Sequence, residues 1–142
     1  MQAFAAIVGA TFLVVGILGF IPGITSHLYG GLDFAGHASE AKLLHLFQVS
    51  WLHNIVHLGF GIVGLALSRT WAGARAYLIV GGVIYLVLWL YGVIVTQGSD
   101  ANFVPLNTAD DWLHFLLGVG MIGLGYATTR DRSLAERAAT HA

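Results

Sequence analysis

Two short segments hold the residues best equipped for chemistry. WLHNIVHLGFG, from Trp51, carries His53, Asn54 and His57, and NFVPLNTADDWLH, from Asn102 to His114, carries Asn107, Asp110 and His114. On a helix at about 100° per residue, Ser50, His53, Asn54, His57, Gly61 and Gly64 share one stripe roughly 100° wide. Leu52, Ile55, Val56, Leu58 and Ile62 cover much of the remaining surface. A stripe of that kind faces protein, where its imidazoles can bind a ligand, relay a proton or bond a neighbouring helix for about 0.6 kcal/mol each. In the second segment, Asn107, Thr108, Asp110 and Asp111 after Pro105 read as a helix start, because a capping oxygen and first-turn carboxylates satisfy free N–H groups. Asp110 also stands four residues before His114, within reach of holding the tautomer of that ring.

Histidines on two helices raise the question of a metal. His53 and His114 would suit the axial positions of a b-type haem, whose iron takes imidazoles from opposite helices. Zinc or copper fits less well, since the chain has no cysteine, and His53 with His57 finds no carboxylate at its depth to complete a four-ligand set. The sequence therefore assigns no metal ligand and no cofactor, with haem b on His53 and His114 kept as the alternative. No Gly-rich loop is followed by the Lys and Ser or Thr of a phosphate-binding motif, and nothing around Ser50 suggests an oxyanion arrangement. The reading is of a protein that binds and does not catalyse.

Elements able to position these residues follow from composition. Of 142 residues, 57% are hydrophobic and 9% charged, with a formal net charge of −1, against about 25% charged in an ordinary soluble domain. Six basic and seven acidic side chains cannot coat a soluble fold of this size, so most of the surface must face lipid. The absence of a basic patch removes nucleic acid as a partner. Four apolar runs predict spans over about 3–22, 43–67, 76–97 and 111–129, near the ~20 residues a helix needs to cross. Only helices satisfy their own backbone in hydrocarbon. The expected fold is an all-α integral membrane four-helix bundle, a single domain over 1–130 followed by a polar cytoplasmic tail over 131–142.

Arg69, Arg75, Arg130, Arg132 and Arg137 fall in the second connection and the tail, whereas Lys42 is the one basic residue of the other two connections. The positive-inside rule then puts both termini in the cytoplasm and makes this a multi-pass plasma-membrane protein. His53 and His114 each stand 16 residues before the first cytoplasmic arginine of their helix, about 24 Å along the axis, so both lie in the outer part of the bilayer at one level. The second helix is expected to extend outward through Glu40 to Ser50. Small residues along the first and fourth spans, Ala5, Gly9, Gly16 and Gly19 and then Gly118, Gly120, Gly123 and Gly125, predict close backbone approach.

FIPGIT, LFQVSWLHNIVHLGFGIVGLA, YLVLWLYG and NFVPLNTADDWLHFLLGVGMIGLG, in that order, resemble the small bacterial membrane proteins grouped as "domain of unknown function 4383". The resemblance covers about residues 1–130. It implies four spans and recurring polar positions at His53, Asn54 and His57 and at Asn102, Pro105, Asn107, Asp110, Trp112 and His114, but no reaction. Ser50 stands where an asparagine is common in relatives. Together these readings give a polar pocket of His53, Asn54, His57, Asn107, Asp110 and His114 near the outer face, between the second and fourth spans, in a binding or accessory subunit. A redox carrier and a local pH sensor are the alternatives. The partner is the lipid bilayer, with a homo-oligomer or larger membrane complex left open.

Overall fold

The computed structural model describes the backbone of residues 1–140 and the side chains of residues 1–127. Four long helices dominate it: α1 (Gln2–Leu18), α3 (Trp51–Leu67), α4 (Trp71–Ile94) and α5 (Thr108–Thr140). The chain is mostly helical, as its apolar runs require. Between α1 and α3, however, it builds β1 (Thr25–Ser26), the single turn α2 (Leu28–Gly31), β2 (Lys42–Leu43) and β3 (Phe47–Gln48). These strands form a small antiparallel sheet in the order β1-β2-β3.

The sheet corrects the expected second helix. Leu43 pairs with Thr25 and Phe47, and the turn that joins β2 to β3 puts Leu44 and His45 at φ 52° and 61°, in the left-handed region that no right-handed helix contains. The helix begins only after Ser50, which is extended and whose Oγ accepts from His53 N at 3.1 Å. An apolar run from Leu43 to Leu67 carries no mark of this break, because Leu, Phe and Val serve a buried hairpin as well as a helix. Burial of Leu43 and Val49 at 5% and 2% exposure is what the apolarity of 43–50 records.

Other boundaries have similar local causes. At the end of α1, Gly19 O accepts from Asn54 Nδ2 at 2.9 Å, a partner from outside the helix for a terminal carbonyl, and Leu18 O accepts from both Thr25 Oγ1 and Ile21 N. Thr70 Oγ1 caps α4 by accepting from Gly73 N. At α5, Asn107 Oδ1 accepts from the backbone N–H groups of Ala109 and Asp110, and Asp110 Oδ2 accepts from Asn107 N, a reciprocal capping arrangement. The backbone of α5 continues past the expected end near 129; the side chains of the expected cytoplasmic tail, 131–142, lie outside the described residues.

Helices pair as α1 with α3 and α4 with α5, and the two pairs join mainly through α1–α4 and α3–α4. Glycine permits both close pairings. A Cβ on Gly9 would lie 3.0 Å from Gly61 O, and one on Gly82 would lie 2.8 Å from Gly118 O. Gly16, Gly19 and Gly125 also sit against neighbouring helices, but Gly120 and Gly123 face open space, so close approach on α5 uses only part of the expected glycine run. The core between the pairs is formed by Ala5, Phe12, Ala74, Tyr77, Leu78, Tyr85 and Met121. Since α3 and α5 are not a close pair, the space between them is left for side chains.

Candidate functional site

His53 and His57 enter that space from successive turns of α3, and His114 enters it from the second turn of α5. The ring centroids of His53 and His57 are 4.4 Å apart and those of His53 and His114 are 6.4 Å apart. The two helices thus bring His53 and His114 close together, with His57 one turn further along α3. Tyr85 of α4 completes the cluster at 5.1 Å from His114, and Phe12 of α1 lies 5.2 Å from Tyr85 and 5.5 Å from His57. Every long helix thus contributes a ring.

The cluster separates two cavities. One, of about 230 Å³, lies toward Val56 of α3 and the Phe103–Pro105 segment. The other, of about 150 Å³, lies toward Phe12, Val15 and the β2–β3 hairpin. His53, His57, Tyr85 and His114 border both. The segment over the larger cavity is held in place: Tyr91 Oη accepts from Phe103 N and donates to Ala101 O, while Asn102 Oδ1 accepts from Leu106 N. Phe103 O in turn accepts from Gly36 N at 2.8 Å, which ties this roof to the loop that follows α2.

Nδ1 of each of the three histidines is buried and has no hydrogen-bond partner. More than nine in ten buried polar groups in native proteins are partnered, so three orphans around one cavity are a specific feature. Each neutral imidazole brings one donor and one acceptor, and the cluster can therefore hold the polar end of an otherwise apolar guest. Two neighbouring polar groups are already engaged. Ser50 is committed to capping α3, and Asp110, although it borders the smaller cavity, gives its Oδ2 to the N–H groups of Gln48 and Asn107 at 3.0 and 3.1 Å.

The expected Asp110–His114 contact is corrected by the same bonds: the carboxylate turns back to its own helix cap and to β3, and His114 Nδ1 stays unpartnered. Two expected pocket residues, Asn54 and Asn107, line neither cavity. Asn54 is 1% exposed and donates to Gly19 O, so it fastens α3 to α1 on the far side of the stripe. Asn107 caps α5 and donates through Nδ2 to Leu46 O, linking α5 to the hairpin. Of the six residues, His53, His57 and His114 border both cavities, Asp110 borders the smaller one, and Asn54 and Asn107 support the frame.

Tyr85 and Phe12 are the residues that sequence reasoning missed. Tyr85 had a signal, a hydroxyl in the middle of an uncharged run, while Phe12 had none among so many apolar neighbours. Among the described residues, no group of three or more His, Cys, Asp or Glu is arranged to hold a metal ion. The larger of the two cavities, about 230 Å³, falls below the ~300 Å³ at which sites for drug-sized ligands begin.

With fold and cluster defined, the class is a mostly helical protein in which three buried histidines lie close together. The chain belongs to the family described as domain of unknown function (DUF4383), whose model matches residues 2–127, as the four motifs suggested. No curated protein and no solved structure matches the chain.

Proposed function

We propose that this is a four-span plasma-membrane protein, both termini cytoplasmic, that binds a small and largely apolar molecule in its imidazole-walled chamber, as a binding or accessory subunit. The observation that carries the reading is the set of three buried, unpartnered Nδ1 atoms around one cavity. Polar groups in a span are expensive and are kept where they meet a ligand or a partner group.

Membrane placement has independent support. α4, at 24 residues with a mean hydropathy of 2.2, is long and apolar enough to cross a membrane. α1 and α3 are apolar but have 17 residues each, about 25 Å at 1.5 Å per residue. A bilayer accommodates such a shortfall by thinning at modest cost. The outward faces are apolar all round: Ile7, Ile62, Val87 and Leu116 are 60 to 65% exposed. Water would leave that surface unsatisfied, and hydrocarbon would not.

Phenol, an apolar ring with one hydrogen-bonding group, is the test probe. Titrated into the full chain in lipid nanodiscs, it should bind saturably and shift the ¹⁵N resonances of His53, His57 and His114 together. Val104→Trp, which puts bulk into the larger cavity, should abolish the shifts while leaving the protein folded. Non-saturable partitioning with unmoved imidazole resonances would overturn the reading.

A further inference from the structure

A second site lies outside the chamber, on the groove between the end of α4 and the start of α5. Trp89, Gly92, Gln97, Thr108, Asp111 and Trp112 line it. Asp111 is only 6% exposed, and its Oδ1 is buried without a hydrogen-bond partner. No ion pair reaches this carboxylate among the described residues; the two described arginines, Arg69 and Arg75, belong to the opposite end of α4. Gly92 makes the seat possible, since a Cβ there would collide with Asp111 Oδ1. A carboxylate held this way, beside a second one at Asp110, lacks a cation.

The surrounding groups define which cation fits. Trp89 and Trp112 both pack on Phe115, with ring centroids 5.0 and 6.1 Å away, so two indoles are fixed on the same groove as the carboxylate. Indole faces attract organic ammonium groups most strongly among the aromatic side chains. Beyond them, Gln97 Nε2 donates to Thr108 Oγ1 at 3.2 Å, which places amide and hydroxyl hydrogen-bonding groups at the outer lip. The ammonium of a zwitterionic phospholipid head, carried beyond the phosphodiester on a short arm, meets a carboxylate and indole rings on this groove.

We propose that this groove binds the ammonium head of a phospholipid in the outer leaflet. The inference takes the membrane placement from the proposed function but not the chamber, so the two can fail separately. At the depth argued for the start of the fourth span, the groove opens at headgroup level, where tryptophan is favoured, and Trp112 is 61% exposed toward the lipid.

The test reconstitutes the full chain in vesicles of equal phosphatidylethanolamine and phosphatidylglycerol, extracts it gently and counts the retained lipids by native mass spectrometry. Wild type should retain the ethanolamine lipid with a preference of about tenfold, the scale of one desolvated cation–aromatic contact together with an ion pair. Asp111→Asn should bring retention to parity. Trp112→Leu, on a side chain that is 61% exposed, should lower the preference severalfold and so decides the matter if Asp111→Asn does not fold. His57→Ala should leave the preference unchanged while removing phenol binding. Equal retention of both lipids by wild type, or a preference that survives both groove variants, overturns the proposal. Displacement of the lipid by free ethanolamine at equal concentration overturns the assignment to a lipid head. A chain that does not partition into membranes contradicts the membrane reading itself and is distinguished by flotation of the vesicles.

Discussion

Gly61→Leu should prevent α1 and α3 from pairing and lower the thermal midpoint of the detergent-solubilised protein by about 6 °C or more, or leave no monodisperse protein to measure. A Cβ at this position would lie 2.6 Å from Leu13 N and 2.8 Å from Gly9 O, and both are backbone atoms that no rotamer change can move. Overpacking in a core costs about 1–3 kcal/mol when side chains can yield, and here they cannot, so about 3 kcal/mol or more is expected. At roughly 2–4 °C per kcal/mol for a chain of this size, the shift is readily measured. Gly59→Leu, two residues earlier on the same helix, is the control. Nothing lies within 4 Å of a Cβ there, and replacing glycine in a helix is favourable by up to ~1 kcal/mol, so the midpoint should hold or rise. Similar losses in the two variants would contradict the glycine-mediated pairing.

Asp110→Ala should be the most damaging change at the outer end of the fold. It strips acceptors from Gln48 N and Asn107 N, releasing β3 from α5 and opening the cap of α5 together. Leaving a donor unsatisfied costs about 1–3 kcal/mol, so a loss of about 2–4 kcal/mol is expected, with faster hydrogen exchange at the Gln48 and Asn107 amides. Unchanged protection of those amides would show that Asp110 does not hold the hairpin.

Asp110→Asn separates the charge from the bonds, because its carbonyl still accepts. Burial pushes the Asp110 carboxyl up to about 7; the bonds from Asn107 and Gln48 oppose the shift, and the neighbouring Asp111 adds to it. The folded state therefore binds this proton more tightly than the unfolded chain, whose ordinary value is 3.8. The stability linked to the proton is fully present below about 4 and is lost as the pH rises through about 7. The stability of wild type relative to Asp110→Asn should fall across pH 4–7 as this proton is lost. An unaltered slope in the variant would assign the decline to another group.

The histidine cluster was legible in the sequence because its signals are strong ones. Imidazoles in an apolar run are costly, and the arginines at 69 and 130 provide a ruler that places His53 and His114 at one level. Capping at Asn107 was also legible, since residue type and spacing nearly determine it. What the sequence hid were matters of direction. Asn54 shares a helical stripe with the histidines, yet the width of that stripe lets it turn toward Gly19 of α1 while they turn toward α5. Asp110 satisfies the spacing rule for His114, but two backbone N–H groups offered it closer partners, one of them from a hairpin that apolar residues alone did not announce. That hairpin depends on left-handed backbone at Leu44 and His45, residue types that do not favour it, so no local rule predicts the break.

The central claim is that α3 and α5 bring His53 and His114 to one buried chamber inside a membrane. Replacing both by cysteine in a chain that has no other cysteine, then oxidising or adding a short bifunctional thiol reagent in intact membranes, tests it directly. With ring centroids 6.4 Å apart, the His53→Cys, His114→Cys protein should form an intramolecular link in high yield, while a control pair with Val119→Cys in place of His114→Cys should form none. Failure of the 53–114 pair to link by either route, in protein confirmed to be in the membrane with both thiols reactive, would contradict the chamber.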